Sequence, residues 1–383
     1  MSARHPHHHH RRRRRVSATL ATIAAIGLLA VGCGDDSSDS TGAPPTLDAA
    51  LTTELQDVVD TTVAELGAPG AVVVVDTPDG RWETVVGTAD LESGTPLEGG
   101  LRWPLRSITK SFTTTLILQL ADEGLISLDD PVSTWVDGIP NGDAVTVRQL
   151  ATMTSGLADY TNEAFIDDFV ADPERQFTLD ELIAYGAQDP PVAEPGAEAV
   201  YTNANTNILG RIVEQVTGQP FDEVLDERIL EPLGLDDTVY PTDPDHGTSA
   251  VVGYQPGDGG GLEQQPVNFS VFGPAGAMIT TTDDLLVWAE ALATGELVEP
   301  ETQRVRLEGQ VLEEGPEYDL YAFGIGDLEG WWGHTGEGFG FTALVMHDEE
   351  TDTSVAIFMN ASNLESHGPT TLFRRLAPLL SGD

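Results

Sequence analysis

The hydrophobic pattern changes character twice along this chain, and this limits the folds that it can adopt. Near its start, residues 71–76 (Ala-Val-Val-Val-Val-Asp) and 82–86 are short runs rich in β-branched side chains, separated by a Pro-Asp-Gly turn. Near its end, residues 341–347 and 354–359 repeat this pattern around a polar turn. The stretch between, from about 107 to 290, has mostly helical periodicity. A sheet must therefore be assembled from both ends of the chain, with a mainly helical subdomain inserted between its strands.

The clearest helices of the middle part are residues 107–123, which stop at Gly124, and residues 207–217, which stop at Gly218. Further helical stretches flank the terminal strands at residues 47–66 and 370–380. We therefore predict a fold of the α/β (α+β) class, in which an antiparallel sheet carries helices on both faces. Residues 47–383 form one domain in this prediction, and the helical subdomain spans about 107–290.

The chain is strongly acidic, with 63 Asp and Glu against 18 Lys and Arg. Six of the basic residues precede Cys33, so the rest of the sequence is more acidic still. A surface of this sign repels a phosphate backbone, which excludes nucleic acid as a partner. Two interpretations of the charge stay open: a heavily solvated surface, or a field that steers cationic substrates towards the protein.

The first 32 residues have the pattern of a signal peptide, with basic residues through Arg15 and an apolar run over residues 16–32. Ala30-Val31-Gly32-Cys33 resembles the bacterial lipobox, and Cys33 is the only cysteine. We predict a lipidated Cys33, a polar tether over residues 33–46, and anchoring to the outer face of the cytoplasmic membrane. The alternative is an ordinary signal peptide and secretion.

Lys110 is the only lysine of the sequence. A desolvated lysine can lose its proton near neutral pH, whereas arginine cannot. Ser107 precedes it by three positions, which places both side chains on one helix face within hydrogen-bond reach. Ser107 also lies in the first turn, where free N–H groups favour a developing oxyanion. We predict that Ser107 is a nucleophile and Lys110 its general base; the alternative is an N-cap serine beside a surface lysine.

Two shorter motifs carry polar groups suited to the same chemistry. Tyr201-Thr202-Asn203 follows a Pro-Gly turn, and in extended backbone its first and third side chains project to the same side. We predict that Tyr201 relays a proton and that Asn203 enters the same cleft, although a structural turn would give the same sequence. The second motif is Gly333-His334-Thr335-Gly336, whose glycines would let a ligand lie against an edge strand.

Signatures of other chemistries are missing from the sequence. It has no Gly-x-Ser-x-Gly elbow, no His-Glu-x-x-His and no Gly-rich phosphate loop. The four histidines that follow Cys33 show no metal-ligand spacing. We therefore expect neither a metal nor an organic cofactor.

Ser-x-x-Lys at Ser107 and Lys110, Tyr-x-Asn at Tyr201 and Asn203, and His334-Thr335-Gly336, in this order, resemble the serine β-lactamase and penicillin-binding protein family. Longer similar stretches are residues 107–122, 145–162, 201–235 and 332–336, so that the resemblance extends over roughly residues 50–380. His-Thr-Gly in place of Lys-Thr-Gly is most similar to secreted D-alanyl-D-alanine carboxypeptidases and to class C-like esterases and peptidases. The resemblance implies a β-lactamase/transpeptidase-like fold.

The resemblance also implies roles for the site residues. The backbone N–H groups of Ser107 and Glu337 would form an oxyanion hole, and Asn203 would orient Lys110 and the substrate amide. His334 and Thr335, with Gly336 beside them, would contact the far end of the substrate. The implied activity is that of a monomeric D-alanyl-D-alanine carboxypeptidase on peptidoglycan peptides.

One departure weakens this assignment, because such carboxypeptidases use an arginine ahead of the His-Thr-Gly strand to bind the substrate carboxylate. No Arg or Lys occurs between Leu307 and His334, and only Arg304 or Arg306 could serve. The alternatives are an esterase or a β-lactamase of the same family, acting on an ester or a β-lactam. A non-catalytic penicillin-binding receptor is the alternative of another class.

Overall fold

The computed structural model describes residues 47–242 and 250–381. The predicted signal peptide, tether and lipidated Cys33 lie outside these residues and stay predictions. Within the described ranges, no helix is both long and apolar enough to cross a lipid bilayer.

The central element is an eight-stranded antiparallel sheet whose strands come from both ends of the chain. Its order is β3-β2-β1-β12-β11-β10-β9-β8, and two small sheets pair β4 with β7 and β5 with β6. The strands are β1 (Gly70–Thr77), β2 (Gly80–Asp90), β3 (Thr95–Pro96), β4 (Trp103–Pro104), β5 (Tyr254–Pro256), β6 (Leu262–Gln264), β7 (Ile279–Thr280), β8 (Leu320–Tyr321), β9 (Gly326–Leu328), β10 (Trp331–Gly338), β11 (Phe341–Asp348) and β12 (Thr353–Met359).

Helices cover the sheet and form the inserted subdomain. They are α1 (Ala49–Leu66), α2 (Thr109–Asp122), α3 (Val147–Ala151), α4 (Glu163–Ala171), α5 (Leu179–Gly186), α6 (Asn203–Thr217), α7 (Phe221–Leu225), α8 (Glu231–Leu233), α9 (Thr282–Thr294), α10 (Pro300–Arg306) and α11 (Gly368–Leu380). Helices α2 to α9 occupy the middle of the sequence, as predicted, and the α/β fold class is confirmed.

The run of valines in β1 is explained by burial on both faces of the sheet. Alternate side chains of a strand point to opposite faces. Val72 and Val74 pack into one hydrophobic core with α2 and α9, whereas Val73 and Val75 pack into a second core with α1 and α11. Because both faces are covered, the strand is continuously apolar instead of alternating.

The segment that carries the nucleophile follows β4 directly. A 3₁₀ turn over Arg106–Ile108 leads into α2, so that Ser107 lies one turn before the α-helix itself. The helix has a buried face that includes Phe112, Leu116 and Leu120. Its burial fixes the direction of α2, and with it the position of Ser107 beside β10.

Candidate active site

Ser107 and Lys110 are in direct contact. The Lys110 ammonium nitrogen Nζ lies 2.9 Å from Ser107 Oγ. Lys110 is fully buried, whereas Ser107 is partly exposed, so the hydroxyl can be reached by a substrate while its partner is shielded from water. Burial lowers the pKa of Lys110 from 10.5 to about 7, and the charge of Asp159 opposes this shift.

The hydrogen bonds of Lys110 determine what its neutral form can do. Nζ lies 2.7 Å from Asn203 Oδ1 and 2.8 Å from the carbonyl oxygen of Ala275. Both oxygens can only accept, so a neutral amine uses its two N–H groups on them. Its lone pair is then directed at the third neighbour, the Ser107 hydroxyl, which is the arrangement that a general base requires.

Asp159 fixes the orientation of Asn203. One Asp159 carboxylate oxygen accepts from the Asn203 backbone N–H at 2.9 Å and from its Nδ2 at 3.0 Å. Since a carboxylate cannot donate, Nδ2 must face Asp159, and Oδ1 is left to face Lys110. We predicted an extended loop here, but Asn203 is the first residue of α6. Its side chain reaches the cleft all the same.

Tyr201 lies beside the same pair, with its ring centroid 5.0 Å from Lys110 Nζ. Burial raises the pKa of its hydroxyl well above 10, the neighbouring Tyr318 adds to the shift, and the Ser107 hydroxyl opposes it. The buried oxygen makes no hydrogen bond of normal geometry. Desolvation dominates this shift, so the Tyr201 hydroxyl keeps its proton near neutral pH and can donate it.

Strand β10 brings the third motif to Ser107. It pairs with β9 only over Trp331–Gly333, and Thr335 lines a cavity with Ser107. A Cβ atom at Gly336 would lie 2.2 Å from the carbonyl oxygen of Leu105, so glycine permits the strand to pack against the backbone that precedes Ser107. Gly336 thus serves this close packing.

His334 occupies a different place from the one expected. Its ring is fully buried, and its nitrogens lie 3.2 Å from the hydroxyls of Tyr318 and Tyr321. Burial lowers its pKa to about 3, so the ring is neutral. The expected substrate contact is therefore replaced by a structural one, in which His334 supports the two tyrosines behind Thr335.

The cavity at Ser107 has a volume of about 290 Å³. Its lining includes Thr335 and Glu337 of β10, Glu317 ahead of β8, and the start of α11. His367, the N-cap of α11, lies 3.1 Å from the Gly336 carbonyl oxygen through Nε2 and accepts at Nδ1 from the Thr370 N–H. Glu337 was among the predicted site residues, whereas Glu317 and His367 were not, because both come from segments without a motif.

Arg106 is a further residue that the sequence did not indicate. It is fully buried, has a left-handed φ of 52°, and stacks against Phe269, Phe272 and Phe341. Its Nε donates to the carbonyl oxygen of Gly338 at 2.9 Å. Arg106 precedes Ser107 and Gly338 follows Glu337, so this bond joins the two segments whose N–H groups were predicted to bind an oxyanion.

Neither arginine proposed for a substrate carboxylate lines this cavity. Arg304 is exposed on α10 and paired with Glu301 and Glu308. Arg306 is fully buried and donates to Thr115 of α2. Within the described residues, no group of three His, Cys, Asp or Glu side chains is arranged to bind a metal.

The beta-lactamase family model matches residues 55–378 of this sequence. The chain belongs to the beta-lactamase family. The match includes all eight residues predicted for the active site, from Ser107 to Glu337, and confirms the family that their motifs resembled.

Two curated proteins are similar to this chain over part of their length. The sequence is 32% identical over 209 residues to "Esterase EstB" of Burkholderia gladioli, an alignment that covers 50% of this chain and 52% of the esterase. It is 28% identical over 253 residues to "Protein flp" of Staphylococcus aureus, an alignment that covers 62% of this chain and 49% of that protein. The alignments thus span about half the length of these relatives.

Solved structures of beta-lactamase-like proteins match over most of the chain. A D-stereospecific amidohydrolase from Streptomyces has a TM-score of 0.74 at 29% identity, covering 87% of this chain and 98% of the other. The octameric penicillin-binding protein homologue from Pyrococcus abyssi has a TM-score of 0.73 at 27% identity, and the match covers 86% of this chain and 77% of the other. These likenesses confirm the β-lactamase/transpeptidase-like fold.

Proposed function

We propose that this protein is a serine hydrolase that cleaves a small amide or ester through an acyl-enzyme on Ser107. The single observation that carries the proposal is the position of Lys110, whose Nζ lies 2.9 Å from Ser107 Oγ in a buried site that lowers its pKa to about 7. An amine of ordinary pKa would be protonated at neutral pH and could not accept this proton.

In the first step, Lys110 takes the proton of Ser107 as Oγ forms a bond to the substrate carbonyl carbon. The carbonyl oxygen becomes an oxyanion between the N–H groups of Ser107 and Glu337, each worth about 3 kcal/mol in the transition state. The C–N or C–O bond then breaks, and the leaving group takes a proton from Tyr201 or from the protonated Lys110. Water releases the acyl group by the reverse sequence, so that both residues return to their starting state.

The pKa contrast between Lys110 and Tyr201 supports this division of roles. Burial lowers the pKa of Lys110 and raises that of Tyr201. Near neutral pH the amine therefore has an available lone pair while the phenol keeps its proton. Two groups whose environments shift their pKa values in opposite directions form an acid and base pair.

The amidohydrolase and the esterase among the relatives support an amide or ester substrate. The carboxypeptidase activity expected from the sequence is less well supported, because the arginines proposed for a terminal carboxylate are engaged elsewhere. We expect a D-Ala-D-Ala peptide to be a poorer substrate than an uncharged short-chain ester or an amino-acid amide.

Intact-mass measurement after exposure to a fluorophosphonate tests the nucleophile. We expect one adduct on the wild-type protein and none on Ser107→Ala. Ser111→Ala is the matched control, because Ser111 lies in the first turn of α2, close to Ser107 in the sequence, but is fully buried and donates to the Ile108 carbonyl. It should label normally. An adduct that persists in Ser107→Ala would overturn the assignment.

Turnover is then compared on four substrates: a D-Ala-D-Ala peptide, a chromogenic cephalosporin, a short-chain ester and an amino-acid amide. Hydrolysis of the ester or amide at the highest kcat/KM supports the proposal. Faster hydrolysis of the peptide would restore the carboxypeptidase assignment. Adduct formation without turnover of any substrate would indicate a non-catalytic receptor.

A further inference from the structure

The cavity at Ser107 is lined by two glutamates, Glu317 and Glu337, and neither forms an ion pair with a cation of the described residues. Glu317 precedes β8, and its carboxylate forms no hydrogen bond or ion pair within the described residues. Glu337 accepts from the Asn363 N–H at 2.8 Å and is likewise not paired with a cation. Both residues line the cavity and are exposed to solvent.

The positive groups that could neutralise Glu317 and Glu337 have other partners or are buried. Of the 11 arginines in the described ranges, nine form surface ion pairs and two, Arg106 and Arg306, are fully buried. His367 lines the cavity; burial lowers its pKa, and the charges of Glu337 and Glu317 oppose this shift. Its Nε2 faces the Gly336 carbonyl oxygen and its Nδ1 accepts from the Thr370 N–H, which are the partners of a neutral imidazole. Lys110 lies behind Ser107 and uses its hydrogen bonds on Asn203, Ala275 and Ser107.

We propose that this cavity binds a positively charged group of the substrate, an alkylammonium, while Ser107 attacks the adjacent carbonyl. The inference rests on the proposed function and names its substrate class. The cavity opens onto the nucleophile, so whatever occupies it is part of the reacting molecule or of its product. Its volume of about 290 Å³ is at the lower end of the range for small-molecule sites, about 300–1,000 Å³.

The charges give selectivity by attraction and by repulsion. An ammonium gains from both carboxylates, a neutral isostere gains from neither, and a carboxylate is repelled. Each carboxylate is exposed, which limits its expected effect on kcat/KM to about two- to fivefold, or about tenfold for the pair. The acidic surface of the whole chain adds attraction over longer distances, and this part declines with added salt.

Two matched substrate pairs test the proposal from both sides of the scissile bond. The first pair compares acetylcholine with its uncharged isostere 3,3-dimethylbutyl acetate, so the charge lies in the leaving group. The second pair compares alanine ethyl ester with its neutral N-acetyl derivative, so the charge lies in the acyl group. We expect kcat/KM to favour the cation about tenfold in one of these pairs, and the pair that shows it identifies which half of the substrate the cavity binds.

Glu317→Gln and Glu337→Gln are expected to lower this preference, and the double variant to abolish it. The amide oxygen that Glu337→Gln introduces can still accept from the Asn363 N–H, so this variant keeps that hydrogen bond while losing the charge. Glu349→Gln is the control. This exposed glutamate follows β11, seven residues beyond Thr342, which lies opposite Glu337, and is therefore about 24 Å away at 3.4 Å per residue. The preference of Glu349→Gln for the cationic substrate should equal that of the wild type.

Calorimetric binding of choline gives an answer that does not depend on turnover. Choline binding that is lost in the double variant supports the cation site even if no substrate is hydrolysed, in which case only the proposed function fails. Turnover without cation preference, together with no choline binding, overturns the cation site and leaves the hydrolase assignment intact.

Discussion

The pH dependence of acylation follows from the burial of Lys110. Lowering its pKa from 10.5 to about 7 corresponds to about 5 kcal/mol in favour of the neutral amine. At pH 7 the neutral fraction rises from about 0.03% to about one half. Because the base must be unprotonated, acylation should increase with pH through about 7 and level off above it. The expected increase between pH 6 and pH 8 is about tenfold.

Two other buried groups beside Lys110, His334 and Tyr201, do not titrate in this window. Burial lowers the pKa of His334 to about 3 and raises that of Tyr201 well above 10. The assay is the second-order rate of fluorophosphonate labelling, followed by intact mass between pH 5 and 9. A rate that is constant from pH 6 to 8, or one that rises only near pH 10, would show that neutral Lys110 is not the base.

Two variants sharpen this experiment. Asp159 raises the pKa of Lys110, so Asp159→Asn should move the midpoint of the profile below that of the wild type. Lys110→Arg keeps the positive charge but cannot release its proton, and should slow labelling by about 10²–10⁴ with an unchanged circular dichroism spectrum. Labelling of Lys110→Arg at the wild-type rate would assign the base to another group.

Three further outcomes are expected. Gly336→Ala places a Cβ 2.2 Å from the Leu105 carbonyl oxygen and should lower labelling about a hundredfold as well as the melting temperature; wild-type values in both would contradict the close packing. Tyr201→Phe removes a buried hydroxyl that lacks a partner, so it should lower turnover while the free energy of unfolding rises by about 1 kcal/mol; a large loss of stability would show that the hydroxyl is bonded. For the proposed lipidation, wild-type protein should fractionate with membranes and Cys33→Ala should not; a wild type found only in the soluble fraction would refute it.

The sequence predicted those parts of the site that depend on local geometry. Ser107 and Lys110 are three residues apart, and the first turns of a helix bring such residues together whatever surrounds them. The burial of both faces of the sheet was likewise predictable, because residues 71–75 are all apolar. The boundary of α6 was missed by four residues, because Thr202 was not recognised as its N-cap.

Long-range packing explains what the sequence did not predict. The burial of His334 depends on Tyr318 and Tyr321, which no spacing connects with it. Glu317 and His367 reach the cavity only because the sheet brings their segments beside β10. Arg306 was considered as a ligand of a substrate carboxylate, but it lies in the core, where it donates to Thr115 of the distant helix α2. The sequence around an arginine does not reveal such a contact.

The pairing of β1 with β12 has a consequence for how the protein acquires its activity. Val72 lies opposite Phe358, so the centre of the sheet joins residues separated by about 290 positions. During synthesis the valine-rich edge of β1 has no partner on this side until almost the whole described sequence has emerged. The edge is exposed and apolar for that time, which favours slow folding and association with other chains. A chain truncated before β12 keeps Ser107 and Lys110 on one helix, but it cannot connect β10 and β11 to β1. We therefore expect hydrolytic activity to arise in one late step, when the last strand closes the sheet.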